Sequence, residues 1–538
     1  LGQTDDRNLT DAIHAVVYAK MPIRQATKKF AVARSTLQRR VHALMQKESV
    51  AVGADTPAEV VVATTIPSAI VDDSDMYPPF LAAPRPMEPV ATNTVEPRPP
   101  VSPVEVSKGP HKVINCKLRA MQKSVSSAID ELSNDLIRQG KPVYKLGLGQ
   151  SPFPIPECIV DELKAHAHQR DYLPVAGLPE LRQDIATWAT KKLGVSYTQD
   201  DVLVGPGTKE LLFVLQTVYY GDLLLPNPSC MSYAPQANIA GRNMIWLPTY
   251  AEDRWVLQPS VLEAHCAADP YAPRILILNS PSNPTGCSYT ADDLREIATL
   301  AKKFRLLVVS DELYSDLTHE AHVSISTYYP EGTIVSGGLS KWCGAGGWRV
   351  GFWLFSSGLD WLRNAMLVMA SETYTSVASP LQYAARRAFV PGTIDTVYRC
   401  PELASYKKKC CRTLQLVGQW CTFQLHKLNV QVHQPQGGFY LFPCFRSYRQ
   451  LLATRGITTD VGLCEQLLHD TERVGVAILP GSFFGRQPHE LFVRIAFVDF
   501  KGEIAMYVID SEVRRGAMWG YTIEKGLSTL CVQIYGQP

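Results

Sequence analysis

Lys341 stands in the glycine-rich stretch SGGLSKWCGAGGWRVG, and Arg349 follows it eight positions later. A lysine amine can form a Schiff base with a carbonyl compound, and a planar guanidinium can pair with a phosphate. Most lysines are solvated surface charges, so Lys341 alone would carry little weight. The combination of Ser-Lys with Gly-Trp-Arg-Val-Gly is much more specific than the lysine alone.

Further polar residues stand where apolar runs end. Asp311 closes the run in LLVVSDELYSDL, and Tyr314 comes three residues later. Asn283 follows another apolar run within SPSNPTG, which in isolation is also a good generic turn. In GPGTKE, small residues before Thr208 would let backbone amides at a helix start approach a phosphate. Because α/β sheets bind ligands at the carboxyl ends of their strands, these residues are expected in one crevice.

In this order the motifs resemble those of the class I/II aminotransferases, which are fold-type-I enzymes that use pyridoxal 5'-phosphate (PLP). The resemblance covers residues 111–515 and implies that Lys341 forms the Schiff base with PLP. It also implies that Asp311 keeps the pyridine nitrogen protonated, so that the ring can act as an electron sink. Asn283 and Tyr314 would hydrogen-bond the ring oxygen O3'. The residues expected around the phosphate are Gly207, Thr208, Lys209, Ser340 and Arg349.

The same resemblance assigns residues to the substrate and to a second subunit. Arg494 in FVRIAFV matches the arginine that forks onto the substrate α-carboxylate. Gly149 in LGLGQSPFP matches a glycine near that carboxylate, and Asn283 is expected beside it. Tyr172 in YLPVAGLPELR matches the tyrosine that reaches the phosphate of the neighbouring subunit's cofactor. A homodimer with its sites at the interface is therefore expected.

One position departs from the family pattern. The family usually places an aromatic residue on the pyridine ring two residues after a proline, and this sequence has Cys230 there. The tyrosine expected three residues later is present as Tyr233. Since a thiol offers no ring face, weaker cofactor binding or lower turnover is expected.

The elements that must position these residues alternate between strands and helices. Apolar runs at 202–204, 275–278, 306–309 and 333–336 predict strands, and helical periods follow at 209–218 and 292–304. This alternation predicts an α/β fold with a large, mostly parallel-sheet domain, about 156–389. The segments 111–155 and 390–515, which include the strand GGFYLF, are expected to form a small α+β domain. The tail 516–538 has no assigned role.

The N-terminal residues 1–48 have a different character. Between residues 7 and 47, nine lysines and arginines accompany one aspartate, a net charge of +8. The segment 9–44 is expected to form three short helices, and IRQATKKFAVARSTLQRRV resembles a Pipsqueak-type helix-turn-helix. The resemblance implies a small all-α module that binds DNA through residues 7–47, with its third helix in the major groove. A solvated basic module without a nucleic-acid role is the alternative.

Amino-acid composition bears on the linker, the redox compartment and the location of the protein. Residues 49–110 contain twelve prolines and are expected to be a disordered linker. Thirteen cysteines without a CxxC pair favour a reducing compartment over a disulfide framework, and no metal site is expected. No membrane-spanning run occurs, and Asp5 and Asp6 argue against a targeting peptide. The expected location is the cytoplasm, or the nucleus if the N-terminal module binds DNA.

The sequence therefore predicts a transaminase that moves an amino group from an amino acid to a 2-oxo acid in ping-pong order through Lys341. Lys209 matches a lysine that some aspartate-type relatives use against a distal carboxylate, although it could equally support the phosphate loop. β-Elimination and decarboxylation use the same cofactor contacts and stay open. A second hypothesis is a transcription regulator that uses the domain as a PLP or amino-acid sensor. A third is that the N-terminal fusion is a remnant without a DNA role.

Overall fold

The computed structural model describes residues 114–118, 121, 123–390, 401–469 and 474–510. The chain divides after Lys108 into two units, and the described residues all belong to the second unit. The predicted helix-turn-helix at 1–48, the linker at 49–110 and the tail at 516–538 lie outside the described residues. The predicted domain boundaries stay predictions.

Twelve strands occur in the described residues. In chain order they are β1 Val143–Lys145, β2 Val202–Gly205, β3 Asp222–Asn227, β4 Met244–Pro248, β5 Arg274–Asn279, β6 Leu307–Asp311, β7 Thr333–Gly338, β8 Gly351–Leu354, β9 Tyr440–Leu441, β10 Gly475–Ala477, β11 Leu479–Pro480 and β12 Val493–Ala496. Strands β2 to β8 form one seven-stranded sheet in the order β2-β8-β7-β6-β5-β3-β4. Within it, β8 is antiparallel to both neighbours and the other pairs are parallel. The predicted mostly parallel sheet is confirmed.

Thirteen α-helices occur in the same residues. They are α1 Val125–Arg138, α2 Glu157–His166, α3 Pro179–Leu193, α4 Thr208–Val218, α5 Tyr233–Ala240, α6 Pro259–Ala267, α7 Ala291–Lys303, α8 Asp360–Ser371, α9 Ser379–Ala385, α10 Pro401–Lys427, α11 Arg449–Thr454, α12 Asp460–His469 and α13 Gly502–Asp510. Within this part of the chain, no helix combines the length and the apolar character that crossing a membrane requires.

Burial explains why the central strands are continuous apolar runs. All six residues of β5, RILILN, are buried, and so are four of the five residues of β6. A parallel strand covered on both faces needs apolar side chains on both sides, so no alternation appears in its sequence. Helix α7 covers one face, and its start is fixed by a capping box between Thr290 and Asp293.

Two smaller sheets complete the unit. Strand β1 pairs in parallel with β10, and β12 pairs antiparallel with both β11 and β9. The segments that form them come from both sides of the large sheet in the sequence. A bond from the Ala496 amide to the Leu146 carbonyl, 2.8 Å, ties the residues after β1 to β12. This bond brings the segment of Gly149 beside the strand of Arg494.

Candidate active site

A cavity of about 320 Å³ lies at the carboxyl ends of the large-sheet strands. Its volume is at the lower end of the range of small-molecule sites, which is roughly 300–1,000 Å³. Eleven of the thirteen residues predicted from the sequence line it: Gly149, Thr208, Lys209, Cys230, Asn283, Asp311, Tyr314, Ser340, Lys341, Arg349 and Arg494. Side chains separated by up to about 345 residues in sequence are thus brought together.

Lys341 enters the cavity from the loop after β7. Two backbone bonds close this loop, from the Leu339 amide to the Val350 carbonyl at 3.2 Å and from the Ala345 amide to the Leu339 carbonyl at 3.3 Å. The Lys341 Nζ donates to the Gly149 carbonyl at 2.6 Å. It also lies 5.6 Å from the centre of the Tyr314 ring. The amine is therefore held inside the cavity beside an aromatic wall.

Asp311 is the last residue of β6 and is half-buried at the base of the cavity. The Tyr233 hydroxyl donates to its Oδ2 at 2.5 Å, and the Leu313 amide donates to its Oδ1 at 3.4 Å. Burial raises the pKa of the Asp311 carboxyl above its ordinary value, although the bond from Tyr233 opposes that shift. Its direct hydrogen-bond donors are neutral. A cationic partner would stabilise the carboxylate further.

Asn279 links Asp311 to Asn283, and the sequence interpretation did not single it out. It ends β5 directly opposite Asp311 in the parallel pair. Its amide nitrogen donates to the Asp311 carbonyl at 2.9 Å, and its Oδ1 accepts from the Asn283 backbone at 2.7 Å. The Asn283 amide in turn approaches the Cys230 sulfur at 3.6 Å. A polar residue at the end of an apolar strand was the signal that could have identified Asn279.

Arg494 lies in β12 and is 3% exposed. Its Nη1 donates to the Asn283 Oδ1 at 3.1 Å, and its Nη2 donates to the Gly147 carbonyl. The guanidinium lies 4.6 Å from the centre of the Tyr440 ring. Among the described residues, its Nε has no hydrogen-bond partner. A buried guanidinium with an unused donor suits an anionic group of a small molecule.

Tyr440 is a second residue that the sequence interpretation missed, although the strand that contains it was identified. Its hydroxyl lies 2.8 Å from the hydroxyl of Tyr314. A Cβ atom at Gly149 would lie 1.9 Å from that Tyr440 oxygen, so the close approach requires glycine. The phenol in the otherwise apolar GGFYLF was the available signal. Ser126, Gln150 and Trp353 also line the cavity and were not predicted.

Another part of the cavity lies where the start of helix α4 meets the side chain of Arg349. Thr208 is the first residue of α4, and Gly207 before it has a φ of +88°. A Cβ atom at Gly207 would lie 2.2 Å from the Arg349 Nη2, which explains the glycine. Gly207 itself does not line the cavity but lets the guanidinium approach the helix start. Backbone amides and a guanidinium together form a suitable cradle for a phosphate.

Tyr172 is, with Gly207, one of the two predicted residues that do not line the cavity. Its side chain is 92% exposed on the surface of the single chain. The predicted contact would be made with a neighbouring subunit, and a single chain does not test it.

These features fit PLP. The cavity offers an amine for the aldehyde, a half-buried carboxylate at Asp311 for a protonated ring nitrogen, and a cradle for the phosphate around Thr208 and Arg349. Because burial raises the pKa of Asp311 and so disfavours its charged form, a protonated ring nitrogen beside it would offset that cost.

Comparison with known proteins agrees with this geometry. Residues 141–501 match the family model "Aminotransferase class I and II". The chain belongs to this family and is a PLP-dependent transaminase. Residues 5–48 separately match the model of the helix-turn-helix Psq domain, which supports the N-terminal resemblance.

Individual relatives cover most of the second unit. The aspartate aminotransferase of Geobacillus stearothermophilus is 31% identical over 382 residues, 69% of this chain and 91% of the relative. The asparagine–oxo-acid transaminase of Streptococcus mutans is 30% identical over 376 residues, 68% of this chain and 90% of that one. The solved aspartate aminotransferase of Thermotoga maritima is 26% identical, with a TM-score of 0.61, covering 74% of this chain and 100% of that chain.

Proposed function

We propose that this transaminase works in ping-pong order, with an amino acid and then a 2-oxo acid occupying the same cavity. The observation that carries the proposal is that eleven predicted residues line one cavity around the Lys341 amine. PLP, when bound, supplies a carbonyl for that amine and an electron-withdrawing ring for the substrate. Lys341 then has a second role, since its amine can move a proton at the substrate's Cα.

The surrounding residues are proposed to have the roles that the family resemblance implies. Asp311 pairs with the ring nitrogen, and Asn283 and Tyr314 bind the ring oxygen. The phosphate is bound by the helix start at Thr208 together with Gly207, Lys209, Ser340 and Arg349. Arg494 binds the substrate α-carboxylate beside Gly149, where its unused Nε and its burial favour a charged group.

An acidic amino acid is the proposed donor. Lys209 lines the cavity, and its side chain is exposed, so its ammonium can reach a second carboxylate. Several relatives are named aspartate aminotransferases, which supports the same class. Lys209→Met should raise KM for aspartate and leave KM for alanine unchanged. An equal rise for both donors, together with weaker PLP binding, would assign Lys209 to the phosphate instead.

The test of the main proposal compares wild type with Lys341→Ala and with Lys408→Ala, an exposed lysine on α10. A panel of amino acids is mixed with PLP-loaded protein without any 2-oxo acid. Wild type and Lys408→Ala should release about one 2-oxo acid per site. Lys341→Ala should lower turnover by on the order of 10²–10⁴-fold or more, the range for loss of a general acid–base group. If no 2-oxo acid is released before the acceptor is added, the ping-pong order is wrong.

A homodimer is proposed with Tyr172 of each subunit at the other subunit's phosphate site. The support is its 92% exposure and its separation from the cavity of its own chain. Mixing Tyr172→Phe protein with Lys341→Ala protein forms hybrid dimers in which one site carries both substitutions and the other carries neither. Recovery of activity in the mixture above the sum of the two parents is expected. Sedimentation as a monomer would rule out the proposal.

A transcription regulator is the second candidate, and the Psq match of residues 5–48 favours it. In this proposal residues 7–47 bind DNA, and the transaminase-like unit senses PLP or an amino acid. Selection of bound sequences from a random DNA pool tests it. The regulator is supported if one sequence is enriched, its binding responds to PLP, and the amino-acid panel gives no turnover. Turnover without sequence enrichment leaves the enzyme alone.

A further inference from the structure

A buried ion network lies behind the loop that contains Lys341. The Asp316 carboxylate is 3.0 Å from the Lys192 Nζ through one oxygen and 3.1 Å from the Lys407 Nζ through the other. The three side chains are 18%, 12% and 10% exposed for Lys192, Asp316 and Lys407. Burial alone would raise the pKa of Asp316, but the two lysines hold it well below its ordinary range. The carboxylate is therefore charged at neutral pH.

Lys407 contacts the loop directly through an aromatic ring. Its Nζ lies 3.8 Å from the centre of the Trp342 ring, and Trp342 is 3% exposed. Trp342 is the residue after Lys341. An ammonium at this distance from a buried indole makes a cation–π contact, which is strongest for tryptophan and when water is excluded. Lys407 thus joins the carboxylate on one side to the Lys341 loop on the other.

The network draws together elements that are far apart in the sequence. Lys192 lies in the last turn of helix α3, Lys407 lies in α10, and Asp316 follows Tyr314 by two residues. Two residues proposed to contact the cofactor, Lys341 and Tyr314, are therefore tied to one set of charges. A lysine side chain has a long flexible stem, so its direction depends on how firmly its backbone is held.

We propose that Lys407 is a positioning residue for Lys341. Through its contact with the Trp342 ring, Lys407 holds the part of the loop from which the Lys341 side chain extends. In sequence, Trp342 lies between Leu339 and Ala345, whose backbone bonds close the loop. The inference rests on the proposed function, because it concerns the direction of the Lys341 amine toward bound PLP. It adds a residue outside the cavity lining to those that the reaction needs.

The experiment compares wild type with Lys407→Met, Lys407→Arg and the exposed control Lys408→Met. Induced visible circular dichroism of bound PLP is the primary readout, since it reports the geometry of attachment and a change in stability alone does not move it. Lys407→Met should lose most of this signal, and kcat should fall by roughly tenfold to 100-fold, because a shift of about 1 Å can cost that much. KM should stay within about twofold. Lys407→Arg should restore the signal, and Lys408→Met should match wild type.

Each outcome decides the matter. Wild-type dichroism and kcat in Lys407→Met overturn the proposal, as does a loss that Lys407→Arg does not restore. If Lys407→Met does not fold, Trp342→Leu tests the same contact, and an unchanged signal there overturns it. Failure of the proposed function is distinguishable: wild type would then show PLP dichroism but release no 2-oxo acid from any amino acid. The dichroism comparison would still test Lys407.

Discussion

The Asp311 end and the Arg494 end of the cavity each contain an ionisable side chain, but the two side chains draw their partners from different parts of the chain. Asp311 is bonded to Tyr233, the first residue of helix α5, and lies opposite Asn279 on the adjacent strand, so its surroundings come from the large sheet and a helix packed against it. Arg494 is bonded to Asn283 and Gly147, which are 211 and 347 positions away in sequence. The Asp311 end is built within the large sheet and its covering helix, whereas the Arg494 end exists only where a strand of a smaller sheet meets distant segments.

The electrostatics of the two ends differ as well. The direct donors to Asp311 are a phenol and a backbone amide, and burial raises its pKa. Arg494 instead spreads its charge over two oxygen acceptors and the faces of Tyr440 and Phe484. The Asp311 end therefore depends more on a cationic partner for its stability. The Arg494 guanidinium already has oxygen acceptors and aromatic faces around it, and we propose that its fork geometry binds an anion.

The largest effect is expected at the Asp311 end. Asp311→Asn keeps the shape and removes the charge that would hold the ring nitrogen in its protonated form. Turnover should fall by on the order of 10²–10³-fold, the range seen when one directed electrostatic contact is lost from an active site. Steady-state kinetics at saturating amino acid, with PLP occupancy measured separately, checks this. Retention of more than a tenth of wild-type kcat would contradict it.

Although Asp311→Asn should lower turnover, the same substitution should stabilise the folded PLP-free protein at neutral pH. Because the folded pKa of Asp311 is raised, the folded state binds a proton more tightly than the unfolded state. The free-energy cost of carrying the charged Asp311 carboxylate in the folded state is therefore absent below the unfolded pKa. This cost grows as the pH rises from the unfolded pKa through the folded pKa. At neutral pH, PLP-free Asp311→Asn should have a higher Tm than wild type, and the difference should vanish at acidic pH. An equal or lower Tm at neutral pH would contradict the raised pKa.

A smaller effect is expected at the Arg494 end. Arg494→Lys keeps a positive charge but loses the planar fork, and charge-assisted hydrogen bonds contribute about 1.5–3 kcal/mol. KM for the amino acid should rise by on the order of tenfold to 100-fold, with PLP affinity nearly unchanged. The exposed Arg446→Lys serves as the control. A loss of PLP binding equal to the loss of substrate binding would show that Arg494 does not distinguish the two.

The same contrast explains what the sequence could predict. Asp311 and Asn283 follow apolar runs within recognisable motifs, so strand periodicity and the resemblance located both. Tyr440 was missed because its role depends on Gly149 and Tyr314, which local sequence does not bring near it. Lys407 was missed for the same reason, since nothing in YKKKCC distinguishes it from its exposed neighbour Lys408. Strand ends can be predicted locally, whereas contacts between distant segments require the folded chain.

Cys230 lies between the two ends and gives the smallest predicted effect. Its sulfur is 3.6 Å from the Asn283 amide, and burial raises the pKa of its thiol, so it stays neutral and offers no ring face. Cys230→Phe should tighten PLP binding by roughly twofold to tenfold, because an aromatic pair contributes about 0.5–1.5 kcal/mol beyond its buried area. Fluorescence titration of the PLP-free protein measures this, and Cys230→Ala, which adds no ring, should show no gain. Weaker PLP binding by Cys230→Phe than by Cys230→Ala would mean that a ring at this position clashes with the cofactor. The small side chain of Cys230 would then be needed to leave room for PLP between Asp311 and Arg494.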